Sequence, residues 1–244
     1  MRWQIYSFWL YGFTALLVLL ACSKDPVAAP TPPRTIVPRT DSITPPLKYI
    51  ALGDSYTIGS SVDSADRFPA QAALWLRNNG KLLQRVDYIA TSGWPTGALL
   101  NAISGSALPR NYDVATLLIG VNNQYQRRDT GEYALEFVLC LRRAIDFAGG
   151  KKDRVFVLSI PDYSVTPFAV NIDKQRIARE IDMFNAINKR LTDSAGISYT
   201  DITDISREAA VFSLLIANDG LHPSGAMYKR WADRLAPKML AVLK

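Results

Sequence analysis

The chain has 244 residues, 48% hydrophobic, 20% charged and 10% aromatic, enough for one domain with a full core and unlike a disordered or collagenous chain. One histidine, His222, and two cysteines, Cys22 and Cys140, nearly exclude a zinc site, whose tetrahedral shell draws on several imidazoles or thiolates; any metal would have to be oxygen-ligated. The net charge of +6 is spread over isolated pairs such as Arg127-Arg128, Arg142-Arg143 and Lys151-Lys152, which reads as solvated faces and not as a nucleic-acid tract.

In chain order, Arg2 is followed by an uncharged stretch from Trp3 to Ala21, then Cys22 and Ser23-Lys24-Asp25. A short positive head, an apolar middle and a small residue before the cut are what a secretory signal requires. The segment 1–21 also resembles a bacterial lipoprotein signal, which implies lipidation of Cys22 and membrane attachment through it. An uncleaved anchor helix is the alternative, since roughly 18 apolar residues suffice to span a bilayer. Both place the rest of the chain outside the cytoplasm, in the periplasm or at the cell surface. A lipidated Cys22 leaves Cys140 without a disulfide partner. Residues 22–47 carry Pro26, Pro30, Pro32, Pro33, Pro38, Pro45 and Pro46 and read as a tether, because proline favours extended polyproline II and cannot pack a core.

From residue 48 to the end, apolar runs of strand length alternate with segments of helical period. The runs are Tyr49 to Leu52, Val86 to Ile89, Val114 to Ile119, Val155 to Ile160 and Ile197 to Thr200. Near-continuous apolar runs suit strands buried on both faces, as in a parallel sheet. Three stripes read as helices with a core face: Tyr133, Phe137, Leu141 and Ile145, closed by Gly149-Gly150; Ile177, Ile181, Phe184, Ile187 and Leu191; and Met227, Trp231, Leu235 and Met239 after Ser224 as N-cap. The pattern predicts an α/β domain of three layers, α/β/α, with five strands and a ligand site at their carboxyl ends.

The first strand ends in Gly53-Asp54-Ser55. A serine at a strand tip is placed to be a nucleophile but needs a base. The only imidazole lies in Asp219-Gly220-Leu221-His222, and a carboxylate bonded to one ring nitrogen leaves the other free to serve the serine. Gly53-Asp54-Ser55, a later glycine, the Gly120-Val121-Asn122 segment and a terminal Asp-x-x-His, in this order, resemble the SGNH hydrolases, also called GDSL esterases or lipases. The resemblance runs from about Tyr49 to the end. It implies a flavodoxin-like five-stranded parallel sheet, no cofactor and no metal, and a Ser55, Asp219, His222 triad, with the block II glycine at Gly93 and the block III asparagine at Asn122. Read physically, the Ser55 and Gly93 backbone N–H groups and the Asn122 amide make an oxyanion hole. Many members carry Asp after the block III Asn, where this chain has Asn123.

The expected function is a serine esterase acting on acyl or acetyl esters of a lipid or glycan. The rival is a non-catalytic surface-binding lipoprotein on the same fold. Cys140, inside a helical stripe, reads as a buried inert thiol and not as a thioesterase nucleophile. Asp54 reads as a turn-forming hydrogen-bond acceptor. Trp94 and Tyr125 fit either a substrate cleft or packing.

Overall fold

A computed structural model describes residues 45–243. The signal segment, Cys22 and the tether up to residue 44 lie outside the described residues. Five strands, β1 (Leu47–Gly53), β2 (Leu83–Ala90), β3 (Val114–Leu118), β4 (Val155–Leu158) and β5 (Ser198–Thr200), form one sheet in the order β2-β1-β3-β4-β5. Every neighbouring pair is parallel, with Tyr49 opposite both Val86 and Val114. The expected α/β sandwich with a flavodoxin-like five-stranded sheet is what the chain forms. Leu47, read as the last tether residue, instead opens β1: it pairs with Leu83, and its N–H donates to the Leu82 carbonyl at 2.8 Å.

Among the described residues eight α-helices accompany the strands: α1 (Ser55–Ile58), α2 (Phe68–Asn78), α3 (Thr96–Ser104), α4 (Val121–Tyr125), α5 (Thr130–Phe147), α6 (Lys174–Ser194), α7 (Thr203–Arg207) and α8 (Gly225–Val242). α2 packs with α8, while α3 packs with α5 and α5 with α6, so the sheet is covered by two helical layers. The three stripes read from sequence are the core faces of α5, α6 and α8. Tyr133, Phe137 and Leu141, then Ile177, Ile181 and Phe184, then Met227, Trp231, Leu235 and Met239 are all buried. The Asp129 carboxylate caps α5 by accepting from the N–H groups of Gly131 and Glu132, and the Ser224 hydroxyl caps α8 by accepting from Met227.

The expectation of strands buried on both faces holds for β1, β3 and β4, whose residues from Tyr49, Val114 and Val155 onward are buried throughout. It fails for β2 and β5, which have exposed or half-buried positions. These are the two edge strands, each with a neighbour on one side only, so a continuous apolar run would leave surface uncovered. Ile119 and Ile160, read as strand ends, lie just beyond β3 and β4. The connection from β1 runs outward to β2, whereas β3 lies on the opposite side of β1. Ligands in open parallel sheets collect at the carboxyl ends beside such a reversal.

Candidate active site

β1 delivers Ser55 to this reversal. A Cβ on Gly53 would collide with the Leu118 carbonyl of β3 and the Thr57 hydroxyl, so only glycine lets β1 run this close to β3 at its tip. Asp54 is fully buried, and its Oδ1 accepts from the Tyr56 N–H at 3.0 Å. The chain thereby turns directly from strand into α1, with Ser55 at the first helical position, where the backbone N–H has no intrahelical acceptor. Ser55 is 7% exposed.

The Asp219 to His222 turn is built by its own carboxylate. Asp219 Oδ1 accepts from the N–H groups of Leu221 at 3.0 Å and His222 at 2.9 Å, folding the chain back so that His222 Nδ1 lies 2.5 Å from Asp219 Oδ2. The turn is closed by Ala217 N–H donating to the His222 carbonyl at 2.8 Å. A spacing of three residues thus suffices, because an Asx-type turn returns the ring to the carboxylate that nucleated it. The Tyr56 ring meets the His222 ring edge-on, centroids 5.7 Å apart.

Gly93 follows β2 and has φ of +83°, a conformation glycine adopts without penalty. Its N–H has no acceptor among the described residues, and its carbonyl accepts from Gln126 Nε2 at 3.1 Å. Asn122 lies at the start of α4, directly after β3, and its Nδ2 donates to the Trp94 carbonyl at 3.0 Å, which fixes the amide plane and leaves one N–H unused by that bond. Asn123 has a different task. It is fully buried, its Oδ1 accepts from the Thr96 N–H at 3.0 Å, and its Nδ2 donates to Thr96 Oγ1 at 2.7 Å. It ties α4 to the first turn of α3, and so holds the Gly93 and Asn122 segments together.

A cavity of about 280 Å³ is bordered by Ser55, Ser92, Gly93, Asn122 and His222, and on its apolar side by Val121, Tyr125, Tyr163, Phe168 and Leu221. Of the residues expected at the site, four meet at this cavity, while Asp219 joins through His222 and does not border it. No hydrogen bond links Ser55 to His222 among the described residues, a contact that in serine enzymes often tightens only when substrate binds. Tyr125 borders the cavity and is 54% exposed, whereas Trp94 packs half-buried against the core. A larger cleft of about 760 Å³ along edge strand β2, lined by Arg67, Arg77 and Arg85 among others, contains none of the expected residues.

Burial alone would raise the Asp219 pKa, but hydrogen bonds from Ser61, the His222 ring and two backbone N–H groups hold the carboxyl well below the usual carboxylate range. The turn therefore presents a fixed negative charge to His222. Asp54 behaves oppositely. Burial pushes it up to about 7 against the Tyr56 N–H bond that favours its charged form, and its Oδ2 has no partner among the described residues. Burial also pushes the Cys140 thiol far up. That thiol is wholly enclosed and is no part of the cavity wall. Among the described residues no group of three or more His, Cys, Asp or Glu is placed to hold a metal, and no helix is long and apolar enough to cross a membrane.

The sequence reading passed over Ser61. Its Oγ donates to Asp219 Oδ2 at 2.6 Å across 158 residues of chain, so one carboxylate oxygen serves both Ser61 and His222. Ser61 adopts φ of +66°, a left-handed conformation unfavourable for a residue bearing Cβ. No local pattern signals such a bond. It also passed over Tyr163 and Phe168, which are brought to the cavity by the segment after β4.

Residues 51–230 match the model of the GDSL-like lipase/acylhydrolase family. No curated protein matches the chain in sequence. Among solved structures it is similar to the lipase Lip_vut3 from a goat rumen metagenome, with 20% identity, a TM-score of 0.63, and coverage of 79% of this chain and 97% of that one. It is similar also to the acetyl xylan esterase AlAXEase, at 17% identity, TM-score 0.61, covering 81% and 100% of the two chains. A third is the psychrotrophic esterase EstA from Pseudoalteromonas sp., in a structure inhibited by monoethylphosphonate, at 14% identity, TM-score 0.61, covering 80% and 98%. At these identities the likeness is one of fold.

Proposed function

We propose, from the premise that this chain belongs to the GDSL-like lipase/acylhydrolase family and is a carboxylic-ester hydrolase, that Ser55 is its nucleophile, His222 its general base and acid, and Asp219 the group that orients His222. The observation that carries the reading is the meeting of Ser55, Gly93, Asn122 and His222 at one cavity, with His222 Nδ1 held 2.5 Å from Asp219 Oδ2. As His222 Nε2 accepts the hydroxyl proton, Ser55 Oγ bonds to the ester carbonyl carbon. The negative charge that forms on the carbonyl oxygen is met by the N–H groups of Ser55 and Gly93 and the Asn122 amide. His222 then returns its proton to the departing alkoxide, and a water molecule repeats the sequence to release the acid. The Asp219 carboxylate, anchored by four hydrogen bonds, steadies the imidazolium in between.

The test is hydrolysis of a short-chain aryl ester, with labelling of Ser55 by a phosphonate probe. Ser55→Ala is expected to lower kcat by at least about a thousandfold and to abolish labelling, and His222→Ala to abolish labelling as well. Parental activity in Ser55→Ala would refute the assignment. The non-catalytic alternative is not favoured for a member of this family.

The substrate side of the reading is an acyl or acetyl ester of a lipid or glycan outside the cytoplasm. Its support is the apolar stretch from Trp3 to Ala21 ending at Cys22, followed by proline-rich sequence to Pro46. On this reading residues 1–21 are removed, Cys22 is lipidated, and the proline-rich segment holds the hydrolase domain away from the membrane. Incorporation of a fatty-acid label into the parent and its loss in Cys22→Ser is the expected result. Equal labelling of both would refute it.

A further inference from the structure

The apolar side of the cavity has a shape of its own. Tyr125 on α4, Tyr163 and Phe168 meet pairwise with ring centroids 6.3, 6.1 and 6.2 Å apart and planes inclined at 70°, 50° and 62°. Rings so inclined form a three-walled corner. A sugar would prefer a flat exposed face flanked by hydrogen-bonding groups. Such groups are scarce here: the Tyr163 hydroxyl is spent on Gln124 Oε1 at 3.0 Å, and Ser92 Oγ is paired with Ser60 Oγ at 2.6 Å. The other polar groups of the lining, on Ser55, Gly93, Asn122 and His222, are those assigned to the reaction, leaving the hydroxyls of Tyr56 and Tyr125. Leu221 and Val121 extend the apolar wall.

The corner is also held in place. Gln124, which accepts from Tyr163, donates to Glu180 of α6 at 2.6 Å. The Phe168 N–H donates to the Gly220 carbonyl at 2.9 Å, joining the aromatic segment to the turn that carries His222. Two of the rings, Tyr125 and Phe168, are nevertheless 54% and 41% exposed. They are large apolar surfaces held open to solvent at the mouth of the cavity, where a ligand can cover them.

Resting on the assignment of Ser55 as nucleophile, we infer that the Tyr125, Tyr163 and Phe168 corner binds an aliphatic chain of the ester, so that esters carrying a hexanoyl or hexyl chain are preferred over acetyl groups on sugars. Each methylene buried there is expected to raise kcat/KM by about fourfold, until the chain outgrows the corner.

The full-length protein is assayed by acid release from ethyl acetate, butyrate, hexanoate and octanoate, from hexyl acetate, and from acetylated xylan. None of these has an aryl leaving group to fill the corner itself. The expected result is a rise of at least tenfold in kcat/KM from ethyl acetate to ethyl hexanoate or to hexyl acetate. The first arm places the chain on the acyl side and the second on the alcohol side. Phe168→Ala should flatten whichever series rises. A flat series in an enzyme whose activity depends on Ser55 would overturn the chain-binding corner and leave the triad standing. So would acetylated xylan as the best substrate with Phe168→Ala acting on it most. A parent inactive on every ester and unlabelled at Ser55 would overturn both.

Discussion

Ser61 allows a test in which stability and catalysis move apart. Its hydroxyl donates to the carboxylate oxygen that also faces His222 Nδ1, and its backbone sits at φ of +66°. A hydrogen bond to a charged group contributes about 1.5–3 kcal/mol, and Ser61 is exposed, so the lower end applies. If the bond positions the triad, its loss lowers kcat by about tenfold. Holding a residue with Cβ in the left-handed region costs about 1–2 kcal/mol, which glycine does not incur. Ser61→Ala keeps that strain and loses the bond, whereas Ser61→Gly loses both. The two variants are therefore expected to show the same drop in kcat with little change in KM, while Ser61→Gly melts roughly 2–8 °C above Ser61→Ala. Steady-state kinetics on one short-chain ester and a thermal melt of each protein suffice. Parental kcat in Ser61→Gly, or activity that follows the melting order, would show that Ser61 matters only for the fold.

Three further outcomes are expected. Asn122→Ala removes a proposed oxyanion donor and should lower kcat by about a hundredfold or more at nearly constant KM; a change confined to KM would place Asn122 in binding instead. Asn123→Ala leaves the buried Thr96 N–H without its acceptor, while the Thr96 hydroxyl keeps Glu136, and should destabilise the protein by about 1–3 kcal/mol in denaturant unfolding; an unchanged midpoint would refute its tying role. Asp54, raised to about 7 by burial, binds its proton more tightly in the folded than in the unfolded state. Its contribution is thus full below the ordinary carboxylate pKa near 4 and is lost as pH climbs through about 7. The stability of the parent relative to Asp54→Asn should fall over that window, and a constant difference from pH 4 to pH 8 would contradict a protonated Asp54.

The layers and the strand count were legible because they rest on periodicity. Alternating apolar runs and helical stripes depend only on which residues must face a core, and α5, α6 and α8 turn the stripes read for them to the core, with Ile145, Ile187 and Leu191 only partly buried and α8 holding its stripe across Pro237. The strand edges were less so. Whether β2 is buried on one face or two depends on its having one neighbour, which no run of residues within it records. The same division holds at the site. Asp219 and His222 were readable together because their turn is local, closed by a carboxylate that bonds the N–H groups two and three residues on. Ser55 was readable because a glycine and a small hydroxyl mark the end of a buried strand.

What only the tertiary structure decided are contacts made across long stretches of chain. Ser61 meets Asp219 over 158 residues, and Tyr125 meets Phe168 because α4 and the segment after β4 both end at the carboxyl edge of the sheet. Asp54 sits between two legible neighbours, yet its raised pKa comes from the burial supplied by surrounding elements. Residue type and spacing thus determined which chemistry this chain could carry. Packing decided which hydroxyl bonds Asp219 beside His222, which rings border the cavity and which carboxyl has its pKa raised by burial, because each depends on distances that linear order does not contain.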